Sequence, residues 1–226
     1  WPRLHSPGIR MDESMLPDYV NTVKALKEEY KGHIHISTGL ECEFFPAHMS
    51  WLKDTRDTFQ LDYLIFGNHF DLDEETGMYF GGCRTHQDIR RYMRTTLDGL
   101  ATGMYAWLAH PDLFLRSYRE FDAVCQEAAR EICRAATALR IPLEFNLLGL
   151  RIQHEKGFAG LGYPYRPFWE IAAEENSPVI MNVDAHDPKH LADTTYYDLG
   201  IKEIQSLGLR PFDLMDNGLV QPLQNK

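Results

Sequence analysis

What this 226-residue chain does not contain narrows its chemistry first. Its four cysteines, Cys42, Cys83, Cys125 and Cys133, form no CxxC pair and read as free thiols in a reducing, cytoplasmic setting. No apolar run approaches the roughly 20 residues that a bilayer-spanning helix needs, and no signal peptide is evident, so we expect no membrane contact. Bases are outnumbered, 23 against 33 acids for a net charge of −10, which argues against a nucleic-acid partner. An acidic protein can still hold a phosphate locally. There is no GxxxxGK[ST] loop, no Cys-based phosphatase loop and no Ser-His-Asp order, so no side-chain nucleophile announces itself. Internal repeats and low-complexity linkers are also lacking.

What is present describes an ordinary globular protein, 44% hydrophobic and 25% charged. Its size fits a single α/β domain over residues 1–226, with 216–226 as a loose tail. Helical spacing of apolar residues predicts helices over about 14–30, 47–58, 85–100, 118–139, 167–175 and 198–207. Thr85 is placed to cap the third of these, and Pro17 is tolerable in the first turn of the first. Cys125 and Cys133, eight apart in the strongest helix, read as core filler. Between the helices lie apolar runs that predict strands over 33–40, 62–67, 104–109, 142–146 and 178–184, with a sixth over 209–215. Residues 149–167, rich in Gly, Tyr and Pro, read as a loop. Strands alternating with helices at this spacing imply a mainly parallel sheet.

Polar residues then fall in a pattern. Glu41, His69, His110 and the Asp184-Ala-His186 pair each stand at the exit of an apolar run. Parallel strands share one exit rim, and that rim is where barrel active sites form. Imidazole nitrogens and carboxylate oxygens gathered there make a ligand set for a divalent metal. In Gly39-Leu-Glu41-Cys-Glu43 the two acids share a facing on extended chain, so spacing does not separate them; Glu41 comes first at the exit and is favoured. Asp112 reads as a helix cap or as an acceptor orienting a histidine. Glu144 and Asn146 face the same way on the fourth strand, where a buried acid either supports the site or is salt-bridged. Arg151 and Arg166, in the following loop, are candidates for a bidentate grip on phosphate. His33-Ile-His35 has metal-binding spacing, but it opens the strand that Glu41 closes. Six extended residues span roughly 20 Å, which excludes a shared cluster.

Taken together, Gly-Leu-Glu41-x-Glu-Phe, Gly-Asn-His69-Phe, His110-Pro-Asp112-Leu, Leu-Glu144-Phe-Asn146 followed by Gly149-Leu-Arg151, and Asp184-Ala-His186 resemble the histidinol-phosphatase branch of the PHP (polymerase and histidinol phosphatase) superfamily. Asn68 departs from its pattern, since Gly-Asn-His replaces the usual Gly-Ser-Val-His. The resemblance implies a distorted TIM-like (β/α) barrel holding up to three divalent metals, Zn, Mn or Fe. It implies that Glu41 bridges two metals, His69 and His110 complete the second, Asp184 binds the first and His186 the third, while Arg151 or Arg166 grips the phosphate. Relatives open with a His-x-His strand and a second strand ending in Asp-His; both are expected to be absent from this sequence, which starts at Trp1. The implied reaction is hydrolysis of a small phosphomonoester, histidinol phosphate first, by a metal-activated hydroxide. Asp112 and Asp187 are placed where either could shuttle a proton, and neither is assigned that role. Tyr163, Tyr165, Phe168 and Trp169 would offer a flat surface for an imidazole, or else fill the core. Competing readings are a related phosphoesterase with another substrate and an inactive relative that binds metal or phosphate.

Overall fold

The computed structural model describes residues 10–211. In chain order its elements are α1 (Leu16–Glu29), β1 (Gly39–Cys42), α2 (Met49–Phe59), β2 (Tyr63–Phe66), α3 (His86–Ala101), β3 (Trp107–Leu108), α4 (Ala123–Leu139), β4 (Leu143–Asn146), α5 (Leu147–Glu155), α6 (Arg166–Glu174), β5 (Val179–Asn182), α7 (Lys189–Ala192) and α8 (Thr195–Ser206). The five strands form one wholly parallel sheet in sequence order, so every strand ends at the same rim.

Alternation along the strands sorts residues between two faces. Leu64 and Phe66 of β2, Leu108 of β3, and Leu143 and Phe145 of β4 enter the core with the helices. The opposite face carries Glu41, Tyr63, Ile65, Trp107, Ala109, Glu144 and Asn182, which line a cavity of about 590 Å³. Glu41 sits in register with Ile65, and Ile65 with Trp107, which places the carboxylate at the upper edge of that face.

The helices form where their apolar stripe and their caps agree. Thr85 caps α3 by accepting the Asp88 N–H, and Asp88 returns the favour to the Thr85 N–H, a reciprocal box worth about 1 kcal/mol. On α4, Cys125, Ala128, Ala129, Ile132, Cys133 and Ala136 are buried; small residues on this stripe allow α3 and α4 to pack closely. All four cysteines are buried and free. Gly99 of α3 lies against the Phe66 ring, where a Cβ would collide.

Several elements differ from the sequence expectation, among them a third strand cut to Trp107–Leu108 and the unexpected α7. The first strand starts at Gly39 and not at His33, because its ladder partner β2 begins at Tyr63, opposite Gly39. Residues 33 and 34 instead fold back on the end of α1, both amides donating to the Tyr30 carbonyl. The strongest helix begins at Ala123, since Asp122 accepts the Val124 and Cys125 amides and so fixes its N-terminus. The expected loop opens as helix α5, because Asn146 ends β4 and at once accepts the Gly149 N–H at 2.7 Å. Of the expected sixth strand, Leu209 and Arg210 are not extended into a ladder and Pro211 makes one parallel bridge to Val179; residues 212–215 and the 216–226 tail lie outside the described residues.

Candidate metal centre

The strand exits bring three of the sequence-selected residues into contact. Nε2 of His69 and Nε2 of His110 lie 3.1 Å apart, and Oε1 of Glu41 lies 3.4 Å from the first and 3.3 Å from the second. Two bare imidazole lone pairs at 3.1 Å repel, so either a proton or a cation belongs between them. These ligand atoms all fall within 4.8 Å of one another, a separation that one divalent ion can bridge. Gly67 makes the approach feasible, for a Cβ there would strike both the Glu41 carboxylate and the His69 ring. Donor chemistry and the glycine-lined space both fit a transition metal.

Electrostatics tie the cluster together. Burial alone would raise Glu41, but its hydrogen bond to His110 and the charges of His110, His69 and Arg10 bring it down to about 2. Burial would likewise depress His110, yet contact with Glu41 and the charges of Glu41, Glu144 and Asp184 raise it to about 9. In the metal-free protein His110 thus holds the proton that a cation would replace. Its φ of +28°, like the +49° of Asp184, lies in the left-handed region that L-residues avoid. Among the described residues the other three non-glycine positions with positive φ, Gln60, Arg140 and Asn176, follow the ends of helices.

Beyond His110 the rim is a carboxylate–amide network. Glu144 is buried and raised by that burial; it accepts from Trp107 Nε1 at 3.1 Å, Asn182 Nδ2 at 3.0 Å and Asn146 Nδ2 at 2.7 Å. Asn146 also donates to Asp184 at 2.9 Å. Asp184 lines the cavity shared with Glu41. His186 stays out of the three-residue group: its side chain is 70% exposed, with Nδ1 3.0 Å from the Asp184 carbonyl.

Neither arginine lies in a loop. Arg151, on α5, pairs with Asp193 at 2.9 Å and Glu155 at 3.3 Å and stacks over Tyr196. Arg166 opens α6 and reaches Glu170, Glu203 and Ser206 on the surface. Phe168 and Trp169 are core residues, while Tyr163 packs edge-on against His110 with centroids 5.9 Å apart. Asp112 is buried, which pushes it up to about 7, and it accepts the Tyr165 amide and the Trp169 indole N–H. Asn68 points into α3, donating to Tyr92 and Thr96, and so the departure from the resembled motif serves packing. His35 bonds Ser37 and lines the cavity, because the strand that was to hold it away from Glu41 starts later. Arg10 is absent from the sequence expectation, and Glu43, there weighed only as the alternative to Glu41, instead contacts His69 through its oxygens. The Glu-x-Glu spacing was the one available signal for Glu43.

No family model matches the chain. The similarity is to histidinol-phosphatases. A probable histidinol-phosphatase of Deinococcus radiodurans is 26% identical over 220 residues, covering 92% of this chain and 79% of that protein. The histidinol-phosphatase of Bacillus subtilis is 25% identical over 199 residues, 78% of this chain and 72% of that one. Among solved structures, the histidinol phosphate phosphatase of Lactococcus lactis, complexed with zinc, L-histidinol and phosphate, superposes with a TM-score of 0.65 at 21% identity, covering 87% of this chain and 76% of that one. A chain of archaeal ribonuclease P with mature tRNA gives a TM-score of 0.51 at 17% identity, covering 88% and 76%. At those identities the two structures speak for the α/β fold alone.

Proposed function

We propose that this chain is a metal-dependent phosphoric monoester hydrolase that converts histidinol phosphate to histidinol and phosphate, and that its parallel sheet is an arc of a PHP-type barrel. The observation that carries this reading is the convergence of Glu41, His69 and His110 at three successive strand exits, in a chain similar to histidinol-phosphatases over 92% of its length.

Glu41, His69 and His110 would hold a divalent ion, with Asp184 and then His186 supplying further positions along the same rim. Such an ion, Zn, Mn or Fe, would supply a water of lowered pKa and positive charge for the phosphate oxygens. The remaining work belongs to the chain. His110, wedged between Glu41 and the Tyr163 ring, is held by packing in one orientation. Tyr63, Ile65 and Trp107 give the cavity an apolar wall, which limits water and suits a flat ring next to a charged end. Asn146 aims Asp184 by donating to it. Arg151 is the arginine we assign to the phosphate, exchanging Asp193 for it, as guanidinium suits bidentate oxygen pairs.

The test is phosphate release by protein stripped with a chelator and reloaded with each metal, on histidinol phosphate beside a panel of small phosphomonoesters. Activity should return only with metal, and kcat/KM should favour histidinol phosphate by about tenfold or more, a difference of about 1.4 kcal/mol in transition-state binding. Equal turnover without metal, or a panel member turned over faster, would defeat the assignment.

A further inference from the structure

Glu43 follows Glu41 by two residues, yet the two carboxylates meet different surroundings. The Glu41 side chain is about one-third exposed, whereas that of Glu43 is wholly buried. Glu43 Oε1 accepts from His69 Nδ1 at 2.7 Å, and Oε2 accepts the backbone N–H of His69 at 2.8 Å and of Phe70 at 3.3 Å. Arg10 Nη2 donates to the same Oε1, and Arg10 Nε reaches Glu74 at 3.1 Å. The Glu43 backbone is pinned as well, its carbonyl accepting from the Tyr105 hydroxyl at 2.8 Å. Both oxygens are thus consumed inside the protein, and neither is offered to the cavity.

A carboxylate only accepts, so the 2.7 Å bond to Glu43 places the proton on His69 Nδ1, and Arg10 Nη2, a donor 3.5 Å from the same nitrogen, is spent on the carboxylate instead. The lone pair of His69 is then left on Nε2, the atom that faces Glu41 and His110. The two amide bonds to the other oxygen fix the backbone on which the ring swings. Through Arg10, the same carboxylate is anchored to a segment over thirty residues away in sequence.

We propose that Glu43, clamped by Arg10, is a positioning residue that fixes the ring and tautomer of His69 and thereby sets how tightly the Glu41–His69–His110 cluster holds a divalent cation. The proposal rests on reading that cluster as a metal centre. Carboxylates that orient a metal-binding histidine commonly change affinity by 10- to 100-fold when removed.

The experiment titrates cobalt(II) into the metal-free full chain, following affinity by calorimetry and ligand geometry by visible absorption. Glu43→Gln keeps the side chain's shape and removes its obligatory acceptor character. It should bind cobalt about 10- to 100-fold more weakly, with an altered absorption band, while its circular dichroism stays that of the parent. His110→Ala is the control for the underlying reading and should lose the cobalt signal. If His110→Ala binds cobalt as the parent does, the metal centre itself is wrong. If that variant fails to bind while Glu43→Gln binds within about threefold of the parent and with an unchanged spectrum, the positioning role alone is overturned. Should Glu43→Gln not fold, nitrogen-15 spectra of the histidines in the metal-free parent decide instead. His69 should then carry its proton on Nδ1, and a proton on Nε2 refutes the proposal.

Discussion

The two halves of the exit rim are built differently. On the side of β1 to β3, Glu41, His69 and His110 already touch, and the space between them is kept open by Gly67. On the side of β4 and β5, Asp184 is satisfied by Asn146, Glu144 by three donors, and His186 turns outward. The first half is a donor set whose parts repel unless something cationic joins them. The second is a network in which the carboxylates already accept from amide and indole donors. Convergence at a shared strand-exit rim therefore does not by itself make a ligand; what matters is whether the polar atoms that arrive there are left needing a partner. Buried atoms without one are costly, and a bound ion is one way that cost is met.

The largest break in this comparison is Gly67→Ala. The atoms nearest the added methyl are those of Glu41 and His69, both on the first half, and it collides with them. Overpacking of this kind costs about 1–3 kcal/mol of stability. Loss of the gathered ligands should cost phosphatase activity far more, roughly a thousandfold, because a metal contributes several kcal/mol to the transition state. Thermal unfolding and steady-state kinetics on the one variant separate the two effects. Activity within tenfold of the parent would mean that the cluster is not where the chemistry happens.

A smaller effect sharpens the same contrast through pH. His110 is raised from 6.5 to about 9 by Glu41, so the proton it holds stabilises the metal-free fold fully below pH 6.5 and is released as pH climbs through about 9. A metal must displace that proton. Metal affinity should therefore rise by about tenfold per pH unit up to about 9 and then level off, while metal-free stability falls over the same window. Glu41, lowered to about 2, adds no proton competition in that range. Calorimetric affinities at pH 7, 8 and 9 check the slope, and a flat profile would place the exchanged proton elsewhere.

How far the sequence led is visible in single residues. Tyr63–Phe66 and the Thr85-capped helix were legible because local pattern and local chemistry agree there. That His69 and His110 would meet was legible because each closes an apolar run and parallel strands end at one rim. Glu41 and Glu43 could not be told apart, since a period of two gives them one facing and only the exit bend sends one to the cavity and the other into the protein. Arg10 carried no signal at all, its partner being chosen by tertiary packing. Helix α5 was hidden by glycine and tyrosine that look like loop, while one asparagine serving both as the end of a strand and as a cap decided the matter.

The two arginines give the smallest effects and test the second half of the rim. Arg166 is a surface residue among Glu170, Glu203 and Ser206, and exposed pairs of that kind contribute about 0–1 kcal/mol. Arg166→Met should leave KM unchanged and alter stability by no more than that. Arg151 is more enclosed, stacked on Tyr196 and joined to Asp193, and its reassignment to the phosphate must offset the loss of that pair. A charge-assisted bond is worth about 1.5–3 kcal/mol before that offset, so Arg151→Met should raise KM by about tenfold with little change in kcat. Asp193→Asn frees the guanidinium in advance and should lower KM instead. If both substitutions leave KM alone, Arg151 only ties α5 to the turn before α8, and the phosphate is held from the first half of the rim.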